Sequence, residues 1–191
     1  VVEGGVSPEM LASIPAQELI SQFLCIHNPH KISETLHRHL AHPAIVKALT
    51  HVIGPKKVQV IDAVRQVCWQ ARPSLTQDED YIPTRDRSLT GAWIAIDDAT
   101  VQNGCLWVIP RSHRPGVLYS QYPHNDPDYD CNVMSYNFPH DQEQKAVPVE
   151  VSAGSIFFFN GYLLHKSQPN SAPAGTFRRV PVNHYMSAGS I

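Results

Sequence analysis

A change of hydrophobic period near residue 56 divides this chain into two unlike parts. Apolar residues in Ile32–Ile53 recur at helical spacing, Pro43 interrupts them, and Gly54-Pro55 ends the run. This pattern predicts two short helices that meet at Pro43. Beyond Pro55 the apolar runs are short, alternate with polar residues and are separated by turn residues. Such a pattern is typical of antiparallel strands.

Five runs in the second part have the composition and alternation of strands. They are Gly91–Ile96, Cys105–Ile109, Val147–Val151, Ser155–Asn160 and Arg179–Tyr185. Asn103-Gly104 is a hairpin signal between the first two runs, and Ala153-Gly154 forms a turn between the third and the fourth. Helices followed by short strands predict a mainly β fold with flanking helices, either a β-sandwich or a jelly roll.

The length of the chain, 191 residues, suits a single domain with a buried core. We expect that domain to span 1–191, with a helical N-terminal part at 1–55 and a jelly-roll core at 56–191. Hydrophobic residues make up 42% of the chain and charged residues 17%, which is typical of a folded globular protein rather than a disordered one.

Charge and hydropathy exclude several kinds of partner. The formal net charge is -2 and the chain has no Lys/Arg run, so neither nucleic acid nor an anionic membrane surface is expected. The longest apolar run, Ser155–Tyr162, is too short to cross a bilayer. No signal-peptide pattern opens the sequence, and the four cysteines show no CxxC spacing, so we expect free thiols and a cytoplasmic protein. The sequence carries no signal for an oligomeric state.

Three elements could carry chemistry: the acidic segment around Asp78, His165 after an apolar strand, and Arg178 at the start of the last strand. A jelly roll brings such distant positions together at one mouth of the barrel. Carboxylate and imidazole ligands suit Fe(II), and an arginine pairs with the carboxylate of an oxo acid through two hydrogen bonds. Each residue also has a structural interpretation, as a solvated acid, a hydrogen-bonded histidine or a salt-bridged arginine. These patterns alone predict only a β-rich domain.

The segment Gln77–His113, QDEDYIPTRDRSLTGAWIAIDDATVQNGCLWVIPRSH, resembles the core of the phytanoyl-CoA dioxygenase family. The resemblance covers residues 77–188 well and 24–54 more loosely. The family is a double-stranded β-helix, a jelly roll of the cupin kind, whose members bind Fe(II) through His-x-Asp and a distal His. The resemblance therefore implies an Fe(II)- and 2-oxoglutarate-dependent dioxygenase that hydroxylates a small-molecule substrate.

The resemblance also implies roles for individual residues. Asp78 would be the iron carboxylate and His165 the distal iron histidine. Arg178 would bind the 2-oxoglutarate carboxylate, with Ser167 and Trp93 lining the same pocket and Gln77 beside the metal. His113 and His184 match family positions too, and we interpret both as structural. Halogenase relatives carry a small residue in place of the iron carboxylate, so Asp78 favours hydroxylation.

One position departs from the family. Thr76 stands where the family has its first iron histidine, and two protein ligands hold iron weakly. Taken literally, the chain is a metal-deficient, non-catalytic binding protein on the same fold. Ile61–Thr76 as a whole does not resemble the family, however. A one-base shift of suitable codons for Ile61–Leu75 yields a strand and a glycine loop like the family's. We therefore hypothesise a frame-shifted reading and a histidine at position 76, with a genuine divergent loop as the alternative.

A third interpretation, a cupin-like enzyme or sugar-binding jelly roll of another class, would require several metal-binding histidines. The substrate pocket is expected between the N-terminal helices and a mobile lid loop at Gln121–Gln144, but nothing there indicates the substrate. The family has a longer N-terminal helical region, so we expect this sequence to omit segments of the protein.

Overall fold

The computed structural model describes residues 13–15, 25–54, 58–67, 75–123, 134–173 and 175–190. Its helices are α1 (Glu34–Leu40), α2 (Pro43–Ile53) and the single turn α3 (Asp78–Tyr81), with 3-10 turns at Pro29–Lys31, His140–Lys145 and Ala188–Ser190. None of these helices has the length and apolar character needed to cross a bilayer.

The two predicted helices are confirmed, and their ends have clear chemical causes. The Ser33 side chain accepts a hydrogen bond from the backbone of Leu36 and caps α1. Pro43 opens α2, where a proline costs no backbone hydrogen bond. Gly54, at φ 105°, ends α2 in a conformation that glycine adopts without strain.

Within the described ranges, ten strands form three antiparallel sheets. The strands are β1 (Cys25–His27), β2 (Val58–Val67), β3 (Thr90–Ile94), β4 (Leu106–Val108), β5 (Gln121–Pro123), β6 (Met134–Tyr136), β7 (Val147–Val149), β8 (Ile156–Asn160), β9 (His165–Ser167) and β10 (Arg179–Ser187). The main sheet has the order β1-β2-β10-β3-β8, the second sheet has β7-β4-β9, and β5 pairs with β6. All five predicted strands are present, and the fold is the predicted jelly roll.

The predicted hairpin at Asn103-Gly104 is wrong. The turn exists, with Gly104 at φ 82°, but β3 pairs with β8 and β10 while β4 pairs with β7 and β9. The segment between them crosses from one sheet to the other. The Asn103 side chain holds this crossing by accepting from the backbone of Thr100 and donating to the carbonyl of Asp98. The sequence signal correctly predicts a turn, but it does not specify which strands pair with β4.

The main sheet has two buried faces. Trp93, Phe159, Val180 and Val182 belong to the core cluster that fills the barrel, together with Leu106 of the second sheet. Neighbouring residues on the same strands point the other way, because side chains alternate along a strand. Ala92 and Tyr185 pack on α2 through Ile45 and Leu49, and the Tyr185 hydroxyl donates to the carbonyl of Leu40. The barrel interior is therefore closed on one side by a helix-covered sheet.

The predicted lid at Gln121–Gln144 has regular secondary structure at both ends. Strands β5 and β6 pair across it, and a 3-10 turn follows at His140–Lys145. The Tyr136 hydroxyl donates to Asp80, and Gln121 donates to both Tyr136 and Asp80. These bonds tie the hairpin to α3. Residues 124–133 lie outside the described part, and the predicted mobility of the lid stays a prediction.

Candidate functional site

Strand pairing brings Asp78 to His165. The backbone of Thr76 forms an isolated bridge with His165, with N–O distances of 2.8 and 3.1 Å in the two directions. Two residues later Asp78 begins α3, so its carboxylate lies beside the first residue of β9. The Oδ1 atom of Asp78 is 3.5 Å from Nε2 of His165. The predicted pair therefore meets inside the barrel, although 87 positions separate the two residues in the sequence (165 − 78).

The His165 ring is held by two contacts. Its Nδ1 lies 2.9 Å from the carbonyl oxygen of Leu163, and a carbonyl can only accept, so Nδ1 carries the proton. In the neutral imidazole, Nε2 then keeps its lone pair on the side facing Asp78. The Phe159 ring packs against the imidazole, with 5.0 Å between ring centroids. A histidine bonded in this way to a backbone carbonyl is the usual arrangement of a metal-ligating imidazole.

A second histidine contacts the same carboxylate. Nε2 of His184, on β10, lies 2.9 Å from Oδ2 of Asp78. The three side chains are largely enclosed, with exposed fractions of 16% for Asp78, 11% for His165 and 8% for His184. Burial by itself raises the pKa of Asp78. Attraction to the protonated form of His165 and the hydrogen bond from His184 outweigh it, and the pKa lies below its ordinary value. Asp78 is therefore held as a carboxylate.

The sequence interpretation of His184 as structural missed this contact. Arg178 and His184 are six residues apart on one extended segment, and an even spacing places both side chains on one face of a strand. Arg178 and its neighbour Arg179 point to opposite sides, since Arg178 is fully buried while Arg179 is exposed and paired with Asp97. The same alternation along the strand could have identified His184 as a side chain that points into the barrel.

Arg178 is a buried cation with no anionic partner among the described residues. Its side chain is 0% exposed, and none of its three guanidinium nitrogens has a hydrogen-bond partner in the structure. Its guanidinium carbon lies 5.5 Å from the centroid of the Trp93 ring. Burying an unpaired charge costs several kcal/mol even after relaxation, about the scale of a buried ion pair that has lost one partner. The arrangement fits an anionic ligand that completes the site.

Ser167 and Trp93, the other predicted pocket residues, lie on the barrel side of their strands. Ser167 follows His165 by two residues on β9 and is 4% exposed, so both side chains share one face. Trp93 is 1% exposed and belongs to the same core cluster as Phe159. The two rings link the region of Arg178 to that of His165.

Gln77 has a different environment from the one expected. Its amide nitrogen donates to the carbonyls of Val117 and Tyr162, at 3.0 and 2.8 Å, and its oxygen accepts from the backbone of Tyr119 at 3.0 Å. Both amide donors and the acceptor are thus used by backbone groups. Gln77 therefore connects the loop at Val117–Tyr119 to the loop at Tyr162, next to Asp78. Its predicted cofactor contact stays a prediction.

Position 76 supplies no nitrogen donor. Thr76 is half-buried and lies close to the Tyr136 hydroxyl. Burial and the Tyr81 hydrogen bond raise the pKa of Tyr136, so that hydroxyl keeps its proton. Over the described ranges, no three His, Cys, Asp or Glu side chains form a group that could hold a metal ion.

Comparison with known proteins places these residues in a family. The family model named Phytanoyl-CoA dioxygenase (PhyH) matches residues 21–180. The chain is 34% identical over 105 residues to phytanoyl-CoA dioxygenase 1 of Oryza sativa subsp. japonica, covering 51% of this chain and 33% of the relative. It is 31% identical over 171 residues to phytanoyl-CoA dioxygenase domain-containing protein 1 of Bos taurus, covering 83% and 57%. The chain thus spans a third to just over half of these relatives' lengths.

Solved structures share the fold. The non-haem monooxygenase ThoJ, in its apo form, aligns with a TM-score of 0.70 and 23% identity over 92% of this chain and 63% of its own. The epimerase SnoN in complex with Fe3+, alpha ketoglutarate and nogalamycin RO aligns with a TM-score of 0.68 and 20% identity, over 86% and 63%. At such identities the likeness concerns the fold alone. Because the family model matches most of the sequence, this chain belongs to the phytanoyl-CoA dioxygenase family.

Proposed function

We propose that this protein is an Fe(II)- and 2-oxoglutarate-dependent dioxygenase that hydroxylates a small-molecule substrate. The observation that carries the proposal is Arg178, which is fully buried with three unpartnered guanidinium nitrogens in the same barrel as the Asp78–His165 pair. A catalytic carboxylate–histidine pair together with an unpaired arginine is what an oxo-acid-dependent site needs.

The Arg178 environment fits the oxo acid. A planar guanidinium pairs with a carboxylate through two parallel hydrogen bonds, and Arg178 has all its donors free for that geometry. The Trp93 ring covers one side of the guanidinium and Ser167 adds a hydroxyl on the barrel side. The distal carboxylate of 2-oxoglutarate is the group that we place against Arg178.

Asp78 and His165 offer a metal ion two protein ligands. The two donor atoms lie 3.5 Å apart, and the Leu163 carbonyl leaves Nε2 of His165 with its lone pair. Asp78 and His165 would hold the ion. A bound Fe(II) ion would supply the redox chemistry by which O₂, the oxidant, gives one oxygen atom to succinate as 2-oxoglutarate loses carbon dioxide and the other to the hydroxyl group of the product. The apolar core cluster around Phe159 and Trp93 keeps bulk water from the pair.

The alternative is a metal-deficient binding protein on the same fold. The observation that favours it is Thr76, whose side chain carries a hydroxyl and offers no imidazole. On that alternative Arg178 still binds a carboxylate, but no oxygen chemistry follows. The frame-shift hypothesis removes the conflict, because a histidine at position 76 would restore His-x-Asp.

Conversion of 2-oxoglutarate to succinate tests the proposal directly. Purified protein is incubated with Fe(II), ascorbate and 2-oxoglutarate, and succinate is measured by mass spectrometry. We expect slow succinate formation without substrate and none in an Asp78→Ala variant. Binding of 2-oxoglutarate, measured by calorimetry in the absence of iron, is the second readout. Binding without turnover would favour the metal-deficient alternative, and neither binding nor turnover would contradict both.

A further inference from the structure

We infer that His184 is a positioning residue for Asp78: it holds one carboxylate oxygen so that the other faces His165. The inference deepens the proposed function, since that orientation presents a single oxygen to a metal ion. It rests on contacts of the chain itself, and part of its test needs no metal.

The geometry gives each carboxylate oxygen one neighbour. Oδ2 of Asp78 lies 2.9 Å from Nε2 of His184, while Oδ1 lies 3.5 Å from Nε2 of His165. The first distance is that of a hydrogen bond, and the second is longer than one. The hydrogen bond at Oδ2 restricts rotation of the carboxylate about its terminal bond, and Oδ1 is left facing His165.

The direction of the hydrogen bond follows from donor chemistry. An ionised carboxylate only accepts, so the short contact requires a proton on Nε2 of His184. The opposite assignment applies to His165, whose Nδ1 donates to the Leu163 carbonyl and whose Nε2 therefore has no proton in the neutral ring. The two imidazoles thus have opposite roles at one carboxylate: His184 donates to Oδ2, and His165 faces Oδ1 with a lone pair.

The two partners differ in how firmly the fold holds them. His184 lies on β10, between β2 and β3 in the main sheet, opposite Asp62 and Gly91. Asp78 opens a helix of only four residues after an isolated bridge at Thr76. The strand is the rigid side of this contact, so His184 sets the orientation of Asp78. Outer hydrogen bonds of this kind orient metal ligands, and their loss costs about 10–100-fold in metal affinity.

The first arm of the test uses metal-free protein. Nitrogen-15 NMR of labelled histidines reports which ring nitrogen carries a proton. We expect a protonated Nε2 at His184, assigned by its loss in His184→Gln, and a marked change of that signal in Asp78→Ala. A His184 ring with an unprotonated Nε2, or a signal indifferent to Asp78→Ala, overturns the inference.

The second arm measures Co(II) affinity by the visible absorption of the bound ion. His184→Leu removes the donor and is expected to weaken binding about 10–100-fold. His184→Gln keeps an N–H donor at similar reach and is expected to stay within about threefold of the unaltered protein. His113→Leu, at an exposed turn, is the matched control and should change nothing. Should His184→Leu not fold, His184→Asn, whose shorter amide does not reach Asp78, replaces it.

Two results of the second arm overturn the inference. Unaltered affinity in His184→Leu would show that the contact does not orient Asp78 for a metal. Equal loss in His184→Gln and His184→Leu would show that the imidazole nitrogen itself is a ligand. If the unaltered protein binds no Co(II), the proposed function fails, and the NMR result alone decides whether His184 holds Asp78.

Discussion

At the scale of single residues, the site contains two buried charges whose surroundings differ. Asp78 has two imidazoles beside it, whereas Arg178 packs against the face of Trp93 and has no anionic partner among the described residues. A protein tolerates a buried unpaired guanidinium when a ligand completes it, since the ligand removes the penalty on binding.

Replacing Arg178 should therefore affect 2-oxoglutarate more than the fold. We expect Arg178→Ala to weaken 2-oxoglutarate binding by about 2–5 kcal/mol, because a buried carboxylate would lose its bidentate partner. Calorimetric titration measures the change. Arg179→Ala is the matched control, since Arg179 lies on the outer side of the strand and its guanidinium is bonded to Asp97, away from the barrel interior. Equal binding in Arg178→Ala and the unaltered protein would show that the anchor lies elsewhere.

Cys105 illustrates a buried group with no reactivity. It is a free thiol with 0% exposure, and burial raises its pKa to about 11. The thiolate is the nucleophile, so at pH 8 almost no reactive form exists. We predict that iodoacetamide leaves the Cys105 peptide unlabelled in native protein and labels it fully in urea, as read by peptide mass spectrometry. Rapid labelling under native conditions would contradict the burial. Cys68 and Cys131 lie outside the described residues.

At the scale of elements, three neighbouring strands place the site. Gly91 on β3 lies between His184 on β10 and Phe159 on β8 in the register of the main sheet. Because Gly91 has no side chain, the Phe159 ring lies over it and reaches His165. The glycine thus gives the ring its position.

Gly91→Ala should disturb both stability and the site. A Cβ at Gly91 would lie 2.5 Å from Cζ of Phe159, so the ring must move within a packed core. Overpacking of this kind costs about 1–3 kcal/mol in the free energy of unfolding, which urea titration measures. We also expect reduced succinate formation, because the displaced ring packs against His165. Gly154→Ala is the control. An alanine at this positive φ is strained, but its Cβ has no atom within 4 Å, so turnover should be unchanged.

The segment leading into the site tests the reading of the sequence. Strand β2 spans Val58–Val67 and pairs with β10, so a strand exists where the family has one, while 68–74 lie outside the described residues. Under the frame-shift hypothesis, tryptic digestion gives a peptide ending at Arg85 whose mass departs from that of Gln66–Arg85. A mass that matches the printed residues would contradict the hypothesis and favour the metal-deficient alternative.

At the scale of the whole molecule, the 3-10 turn at Ala188–Ser190 is bonded to the loop that follows α3. The Asp86 carboxylate accepts a hydrogen bond from the Ser190 hydroxyl, and the backbone N–H of Asp86 donates to the oxygen of that hydroxyl. Hydrogen bonds from Ser190 and Ser88 lower the pKa of Asp86 to about 2. The loop after α3 is thereby tied to the final 3-10 turn.

Acid should loosen this tie in a defined window. The folded pKa of about 2 lies below the ordinary value of 3.8, so the stabilisation is complete above about pH 4 and is lost as the pH falls towards 2. We expect part of the decline in urea midpoint between pH 4 and pH 2 to be absent in Asp86→Asn. Parallel curves for the two proteins over that interval would show that Asp86 does not contribute.

Sequence patterns alone were enough to locate the local elements and to indicate the family. Helical periodicity with Pro43 and Gly54 located α1 and α2, and alternation located β3, β4, β7, β8 and β10, since these signals depend on neighbouring residues. The resemblance named Asp78, His165 and Arg178, and the structure brings the first two together and buries the third without a partner.

Which elements pair and pack together became known from the folded structure. The Asn103-Gly104 turn leads to another sheet rather than to a hairpin, because pairing depends on strands far away in the sequence. The contact of His184 with Asp78 joins residues that are 106 positions apart, and the backbone bonds of Gln77 depend on loops that it does not adjoin. A sequence pattern records the face of a strand on which a side chain lies. The partner across the barrel is set by how the sheets close, and this closure gives Asp78 its two histidines.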